Sequence, residues 1–217
     1  MTNFTEKTIP IPTLERLSAL YGMLEKAEKE GAVFISSRTL GENLGHSPDI
    51  IRKDLSLVLR HKNNIEDKIS SGNRGYNIKQ LKTLLIEVLN IKNQHRTCIV
   101  GLGSLGSAIL KYSEITVPEY RIVAGFDSNI NKLELIQTET ELFPSYMITE
   151  KISQLHIEIA ILAVPPRAVE DSVYRLKKGG IKGIINFTPV TLAEDAIGIP
   201  VRNVSLRNEI RILSARL

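Results

Sequence analysis

The chain has 217 residues, of which 42% are hydrophobic, and its mean hydropathy is close to zero. This composition is typical of a globular protein with one large domain or two smaller ones, and we find no internal repeat or low-complexity segment. The net charge of +4 comes from residues 46–82, which contain eight Lys and Arg and four Asp and Glu, because the rest of the chain has 20 basic and 20 acidic residues. A local basic excess of this kind indicates a segment that contacts a polyanion, although a solvated surface has the same composition.

The N-terminal third predicts three helices in close succession. Apolar residues at helical spacing predict a helix over 13–30 that ends at Gly31, and Ser36 or Ser37 can cap a short helix that extends through Leu44. Ser47 then caps a third helix, with Pro48 at its first position, where proline is favoured. Two short helices joined by a turn that contains Gly45 form the helix-turn-helix pattern of DNA-binding domains.

The third helix is the candidate recognition helix. On its exposed side Arg52 can read guanine in a major groove, and Lys53 and serines can hold phosphates. We expect Asp54 to orient a basic neighbour or to bond within its own domain. The polar segment 61–76 predicts a β-hairpin wing, and a helix follows over 77–91. The DNA contacts predicted from these residues are Ser47, Arg52, Lys53 and Ser56 on the helix and Lys62, Lys68, Asn73 and Arg74 on the wing. The alternative is a basic helical domain that binds no nucleic acid.

The C-terminal half alternates strands with helices, which predicts a Rossmann-like, doubly wound parallel sheet in an α/β fold. Predicted strands cover 97–101, 121–126, 158–164, 183–187 and 199–204, with a weaker one at 144–148, and predicted helices lie near 104–114, 150–155 and 166–178. The resulting domains are a winged-helix DNA-binding domain (1–91), a nucleotide-binding domain (92–204) and a C-terminal amphipathic helix (205–217). That helix can pack on its own chain or on a partner subunit.

A glycine-rich turn after the first strand of this half predicts a dinucleotide site. The turn comprises Gly101, Leu102, Gly103, Ser104, Leu105 and Gly106. Its glycines suit a tight turn, a close approach to a pyrophosphate and close packing of strand and helix, and the helix N-terminus favours phosphate. Asp127 lies 21 residues beyond Gly106, where a carboxylate can accept hydrogen bonds from a ribose diol. Because a carboxylate repels a 2′-phosphate, Asp127 favours NAD over NADP. The alternative is a tight turn that binds no ligand.

Ligands bind at the C-terminal edge of open α/β sheets. Residues at this end of two later strands are therefore further candidate cofactor contacts. They are Ala163, Val164 and Pro165 at the C-terminal end of one strand, and Asn186, Phe187 and Thr188 at the end of the next. Phe187 can be a core residue or can stack near a cofactor ring.

Little of the chain remains for catalysis. A dehydrogenase needs a substrate domain and a proton-transfer residue, whereas the nucleotide domain takes up almost everything after Arg96. We therefore expect no catalytic residue. The single cysteine, Cys98, is expected to be a buried thiol, which excludes an intrachain disulfide and a cysteine-based metal site, and we expect no metal. A signal-peptide pattern and long apolar runs are both lacking, so we expect a cytoplasmic protein with no membrane partner.

The whole chain from about Pro12 onward resembles the Rex family of NADH-responsive transcriptional repressors. The motifs that carry the resemblance are I-S-S at 35–37, I-R-K-D-L-S at 51–56, R-G-Y-N at 74–77, I-V-G-L-G-S-L-G at 99–106, F-D at 126–127, V-P at 164–165 and G-I-K-G-I-I-N-F-T-P-V at 180–190. Positions in these motifs add Ser36, Ser37 and Tyr76 to the predicted DNA contacts.

The resemblance implies a homodimer that exchanges its C-terminal helix and binds a palindromic, double-stranded operator when NAD⁺ is abundant. NADH in the Rossmann domains would release the DNA. It also implies that Phe187 lies near the nicotinamide and that Tyr112 takes part in switching between subunits. The chain departs from the family pattern at Leu57–Arg60, where members have Y-F-G and a compact wing, and at Leu20–Gly22, where they have Y-L-R.

We therefore expect a redox-sensing repressor that responds to the NADH/NAD⁺ ratio. One alternative is a small NAD-dependent oxidoreductase with a helical appendage for dimerisation. Another is a DNA-binding protein whose Rossmann domain senses a different adenine nucleotide.

Overall fold

The computed structural model describes residues 9–61, 74–113 and 119–217. The chain divides into two compact units, Met1–Lys92 and Asn93–Leu217. Each unit has its own hydrophobic core, so each can be described by itself.

In its described residues, the N-terminal unit consists of helices that pack on one another and a two-stranded antiparallel ribbon. In chain order its elements are α1 (Ile11–Lys29), β1 (Phe34–Ile35), α2 (Ser37–Leu44), α3 (Pro48–His61), β2 (Tyr76–Asn77) and α4 (Ile78–Val88). In the ribbon, Ile35 of β1 lies opposite Tyr76 of β2. The core is formed by fully buried aliphatic side chains, which include Leu17, Leu20, Leu24, Leu40, Ile51, Leu55, Ile78, Leu81 and Leu85.

Short-range signals define the two helices of the helix-turn-helix as the sequence predicts. The Ser36 hydroxyl accepts a hydrogen bond from the Thr39 amide at 3.0 Å and so caps α2. Gly45 ends α2 with a φ of 67°, a conformation that costs glycine little. The Ser47 hydroxyl accepts from the Ile50 amide at 3.3 Å at the start of α3. The predicted helix-turn-helix is therefore confirmed.

The C-terminal unit is a six-stranded parallel sheet. Its strands are β3 (His95–Val100), β4 (Tyr120–Asp127), β5 (Glu141–Pro144), β6 (Ile159–Leu162), β7 (Gly183–Asn186) and β8 (Val201–Asn203). Their order across the sheet is β5-β4-β3-β6-β7-β8, which is the order of a doubly wound dinucleotide-binding fold. The predicted fold class is confirmed.

Helices cover both faces of this sheet. They are α5 (Ser104–Ser113), α6 (Ile130–Leu135), α7 (Ile148–Gln154), α8 (Val169–Gly179) and α9 (Glu194–Ile197). The terminal helix α10 (Leu206–Ser214) follows the last strand and does not take part in this cover. In the central strand β3, Cys98 and Val100 belong to one buried cluster and Ile99 to another. This alternation shows that β3 is buried on both faces, as in sheets with helices on each side. Burial raises the pKa of the Cys98 thiol, as expected for an inert core cysteine.

Two details differ from the sequence prediction. The weak strand predicted at 144–148 is wrong, because the strand is Glu141–Pro144 and a 3₁₀ turn follows at Ser145–Met147. The short helices α6 and α9 were not predicted at all. These segments lie at or near the edges of the sheet and are at most six residues long, so their hydrophobic pattern is too short to identify them.

The terminal helix α10 is amphipathic, as predicted, but its apolar residues lack cover within the chain. Every residue of 206–217 is exposed. The large apolar side chains concerned are Leu206, Ile210, Ile212, Leu213 and Leu217, each more than half exposed. Among the helices of the described residues, none is long and apolar enough to cross a membrane.

Candidate nucleotide-binding site and nucleic-acid interface

The glycine turn lies between the C-terminal ends of β3 and β6, where the strand order of the sheet reverses. Gly101 has a φ of 94°. A Cβ on Gly101 would lie 2.5 Å from the Ala163 carbonyl oxygen, so the two loops are in direct contact. Ligands of doubly wound sheets bind in the crevice at this reversal point.

The three glycines of the turn have different surroundings. A Cβ on Gly106 would lie 1.9 Å from the Gly101 carbonyl oxygen, which shows that α5 packs directly on the turn. By contrast, a Cβ on Gly103 would meet no heavy atom within 4 Å. Gly101 and Gly106 are therefore required by the fold, whereas the space at Gly103 is open to a ligand. This space, at the N-terminus of α5, suits a pyrophosphate.

Asp127 ends β4 beside the glycine turn. Its Oδ2 accepts a hydrogen bond from the Leu102 amide at 2.8 Å, and its Oδ1 accepts from the Asn129 amide at 2.9 Å. Each carboxylate oxygen can accept a further bond, so a ribose diol is still a possible partner. The Nζ of Lys132 lies 3.7 Å from Oδ2. Lys132 was not predicted as a site residue, because its only signal in the sequence is its position five residues after Asp127.

The loops after β6 and β7 form the neighbouring part of the same edge. Ala163 and Val164 are half-buried against the glycine turn, and Pro165 is exposed. Phe187 is partly buried, and its ring packs against the apolar cluster that contains Ile99. The ring therefore contributes to the core of the unit.

Asn186 and Thr188, which were predicted as cofactor contacts, are buried and bonded within the unit. The Asn186 amide group donates to the Val190 carbonyl at 2.7 Å and to the Asn203 side chain at 2.8 Å. Its oxygen accepts from the backbone and the hydroxyl of Thr188. These bonds fix the loop after β7 to β8, which is a structural role beside any contact with a ligand.

The remaining predicted cofactor contacts differ in how exposed they are. Ser104 and Leu105 are exposed at the start of α5, whereas the Leu102 side chain is buried. Tyr112 lies at the other end of α5 and is 65% exposed. This ring is too exposed to belong to the core of its own unit.

His95, the first residue of β3, lies at the N-terminal end of the sheet, opposite the glycine turn. The Glu158 carboxylate contacts His95 Nδ1 at 2.9 Å and Lys182 Nζ at 2.7 Å. The hydrogen bond from Lys182, and then that from His95, hold the pKa of Glu158 below its usual value. These residues connect the starts of β3, β6 and β7, which is a structural cross-link away from the glycine turn.

In the N-terminal unit, Asp54 is buried and bonds within its domain, one of the two roles predicted for it. The Arg16 side chain of α1 forms a bidentate pair with it, with Nε 2.6 Å from Oδ2 and Nη2 2.8 Å from Oδ1, and the Thr13 hydroxyl donates to Oδ1 at 3.1 Å. The pair raises the pKa of Arg16. By contrast, the α3 side chains of Asp49, Arg52 and Lys53 are exposed.

The predicted DNA contacts on α2 and α3 face solvent together. Arg52 donates to the Ser37 hydroxyl at 2.9 Å and to Asp49 Oδ1 at 2.5 Å. Lys53 and Ser47 are exposed, and Ser56 is half-buried. This surface therefore carries the cations expected of a recognition helix.

The ribbon beside α3 holds the last described part of the predicted interface. Arg74 lies over the Phe34 ring at 5.9 Å from its centroid. Burial raises the pKa of Tyr76, against the opposing effect of the nearby Arg52 charge. The predicted wing residues Lys62, Lys68 and Asn73 lie outside the described residues.

Two family models match the chain, one in each unit. Residues 8–56 match the model described as "Putative DNA-binding protein N-terminus", and residues 92–190 match the model described as "CoA binding domain".

Curated relatives match the chain over nearly its full length. The chain is 30% identical over 211 residues to the redox-sensing transcriptional repressor Rex of Desulforamulus reducens, with 96% of this chain and 95% of the relative covered. It is 31% identical over 207 residues to Rex 1 of Thermotoga maritima, with 95% and 94% covered. These relatives are named as repressors, not as enzymes.

Solved structures of a Rex-family repressor, RSP, have the same fold. RSP by itself is 27% identical with a TM-score of 0.81, and the alignment covers 97% of this chain and 94% of RSP. RSP in complex with β-NAD⁺ and operator DNA is 26% identical with a TM-score of 0.82, covering 97% and 93%. RSP with β-NADH is 28% identical with a TM-score of 0.79, covering 97% and 95%. The chain thus belongs to the Rex family of redox-sensing transcriptional repressors.

Proposed function

We propose that this protein binds operator DNA as a dimer and releases it when NADH occupies its Rossmann unit. The observation that carries the proposal is the open space at Gly103, at the sheet reversal, in a chain that also has an exposed basic recognition helix. The structures of RSP with β-NADH and with β-NAD⁺ plus operator DNA support both halves of the proposal.

The proposed cofactor contacts divide into two groups. The glycine turn and Asp127 would hold the pyrophosphate and the adenosine ribose, which NADH and NAD⁺ share. These residues supply affinity without discrimination. NADH lacks the positive charge of the NAD⁺ ring and has a puckered ring, so discrimination must come from the nicotinamide end. We assign it to Phe187 and, across the dimer, to Tyr112.

Release of DNA then follows from a shift of population. A ligand can release the operator only if it binds the conformation that does not bind DNA more tightly than the one that does. This mechanism requires two arrangements of the dimer whose cofactor affinities differ.

The exposed helix α10 supports the proposed dimer. Its uncovered apolar side chains would be costly in water and would be covered by a second copy of the chain. A dimer with two recognition helices fits a palindromic operator, because the symmetry of the half-sites matches that of the protein.

The test uses a labelled pool of palindromic duplexes and the full-length protein. Duplexes that the protein retains are selected, and one is titrated by fluorescence anisotropy with NADH and separately with NAD⁺. We expect release at a much lower concentration of NADH than of NAD⁺. A protein that selects a duplex but ignores both cofactors would contradict the proposed sensing, and one that selects no duplex at low salt would contradict DNA binding.

A second candidate function is a repressor that senses another adenine nucleotide. The match of residues 92–190 to the "CoA binding domain" model favours it, because coenzyme A also carries an adenosine and a pyrophosphate. The same anisotropy assay with coenzyme A or acetyl-coenzyme A in place of NADH separates the two. Release by a coenzyme A species, without release by NADH, would favour this second function.

A further inference from the structure

The guanidinium of Arg52 is held by two partners on the exposed surface of the helix-turn-helix. Its Nη2 lies 2.5 Å from Asp49 Oδ1 on the same helix, and its Nη1 donates to the Ser37 hydroxyl of α2 at 2.9 Å. The Arg52 side chain is 52% exposed and that of Asp49 86% exposed. We call these three residues the Ser37–Arg52–Asp49 cluster.

The cluster contributes little to the stability of the fold. An exposed ion pair is screened by water and gains little over its separated partners. The recognition helix is already held to the core by the buried side chains of Ile51 and Leu55 and by the Asp54–Arg16 pair. The main effect of the cluster is therefore to fix the position of the Arg52 guanidinium.

An arginine has five N–H donors, of which the two partners engage two. The three others are enough for a bidentate contact with the O6 and N7 of guanine. A long side chain that is already ordered loses less conformational freedom when it binds. Orientation by Ser37 and Asp49 therefore favours a duplex that presents a guanine at the matching place.

The charge of Asp49 acts on all duplexes alike. Its exposed carboxylate lies one turn from Arg52 on the surface proposed to face DNA, and it repels phosphates of any sequence. Orientation helps one sequence, whereas repulsion weakens binding to every sequence. Together the two effects raise the ratio of specific to non-specific affinity.

We propose that Asp49, together with Ser37, is a specificity-determining positioning residue that sets the orientation of Arg52 for base readout. The inference rests on the proposed DNA-binding function and adds to it the residues that set the specificity ratio. Asp49 need not touch the DNA, because it acts through the arginine.

The test measures the affinities of full-length protein for the duplex selected above and for a scrambled duplex at one salt concentration. The specificity ratio is the affinity for the selected duplex divided by that for the scrambled duplex. Asp49→Ala should bind the scrambled duplex more tightly. It should lower the specificity ratio by about fivefold or more, which is part of the discrimination that a bidentate contact supplies. Ser37→Ala changes no charge, so it should not tighten binding to the scrambled duplex and should lower the ratio by weakening binding to the selected duplex. Glu42→Gln removes an acid from the same helix-turn-helix but outside the cluster, so its ratio should match that of the wild type.

A second readout separates positioning from a general structural effect. Each guanine of the selected half-site is replaced in turn, and the affinity of each protein variant for each duplex is measured. The guanine read by Arg52 is the one whose replacement weakens binding of the wild type but not of Arg52→Ala. Asp49→Ala and Ser37→Ala should lose discrimination at that same guanine only. Asp49→Asn, which keeps an acceptor oxygen, should retain more discrimination than Asp49→Ala and provides a variant that preserves the helix start.

The inference is overturned if Asp49→Ala and Ser37→Ala both keep the wild-type ratio, or if Glu42→Gln lowers it as much as they do. Losses spread evenly over the half-site would also overturn it, since they indicate a disturbed helix. Failure of the proposed function looks different, because the wild-type protein would then select no duplex at all, and the inference would fall with it.

Discussion

Gly103 and Gly106 lie three residues apart in one turn, yet the structure gives them different roles. The space beside Gly103 is open, whereas Gly106 lies against the carbonyl of Gly101. A methyl group added at the first position would meet no atom of the protein, whereas one added at the second would collide with the backbone of the turn.

This difference predicts opposite results for two alanine variants. Gly103→Ala should unfold at the same temperature as the wild type or slightly higher, because alanine restricts the unfolded chain. It should still bind NADH about tenfold more weakly, because the added methyl group would hold the pyrophosphate away from the amides at the start of α5 and so weaken their hydrogen bonds to it. Gly106→Ala should be destabilised by roughly 1–3 kcal/mol through overpacking. Thermal unfolding and NADH titration measure both, and equal effects of the two variants would contradict the assignment.

Asp127 and Lys132 together predict the choice between NADH and NADPH. Asp127→Asn keeps an acceptor for the Leu102 amide but removes the charge that repels a 2′-phosphate. NADH affinity should fall by about 1–3 kcal/mol, whereas NADPH affinity should rise relative to it, since Lys132 lies 3.7 Å from the carboxylate. Affinities from fluorescence titration give the ratio. The double variant with Lys132→Ala should lose the relative gain, and an unchanged ratio in Asp127→Asn would show that the ribose is held elsewhere.

Asn186 has a structural role that its sequence motif does not predict. Its place after a strand of a parallel sheet predicts a cofactor contact, which stays a prediction. The structure shows in addition that its amide bridges the Val190 carbonyl and the Asn203 side chain. Asn203 lies 17 residues away, and no local pattern relates the two.

Every residue of helix α10 is exposed, so its own chain leaves the apolar side chains of this helix in contact with water. Replacing Ile210 by Glu should weaken the proposed dimer by about 2–3 kcal/mol, because the apolar side chain would no longer be buried and a charge would take its place. Analytical ultracentrifugation measures the dissociation constant, which should rise more than tenfold. Asn208→Glu, on the same helix, is the matched control. A variant that stays as dimeric as this control would contradict the proposed role of α10.

The predicted elements succeed where their signals are local. The caps at Ser36 and Ser47 and the glycine that ends α2 act within a few residues, so the bounds of α2 and α3 follow from the sequence. Glu141–Pro144 is different, because it is a strand only by pairing with β4. Its own residues have no alternating pattern long enough to predict it.

At the scale of the whole molecule, the proposed switch requires a reciprocal effect. If saturating NADH weakens operator binding by some factor, bound operator must weaken NADH binding by the same factor. Typical couplings of 1–3 kcal/mol correspond to roughly 5- to 150-fold. Calorimetric titration of NADH into the free protein and into its complex with the selected duplex gives one factor, and anisotropy gives the other. A factor near one, with the same NADH affinity for the free protein and for its complex with the duplex, would contradict the proposed switch.

Local patterns were enough to predict the helix-turn-helix, the alternation of strands and helices, the glycine turn with its acid, and the resemblance to the Rex family. These features depend on caps, hydrophobic period and spacing, which act over a few residues. Tertiary structure alone decided that Asp54 faces Arg16, that Arg52 is held between Ser37 and Asp49, and that the glycine turn meets the loop after β6. Most of these contacts join residues far apart in the chain, so they exist only once the helices and strands have packed.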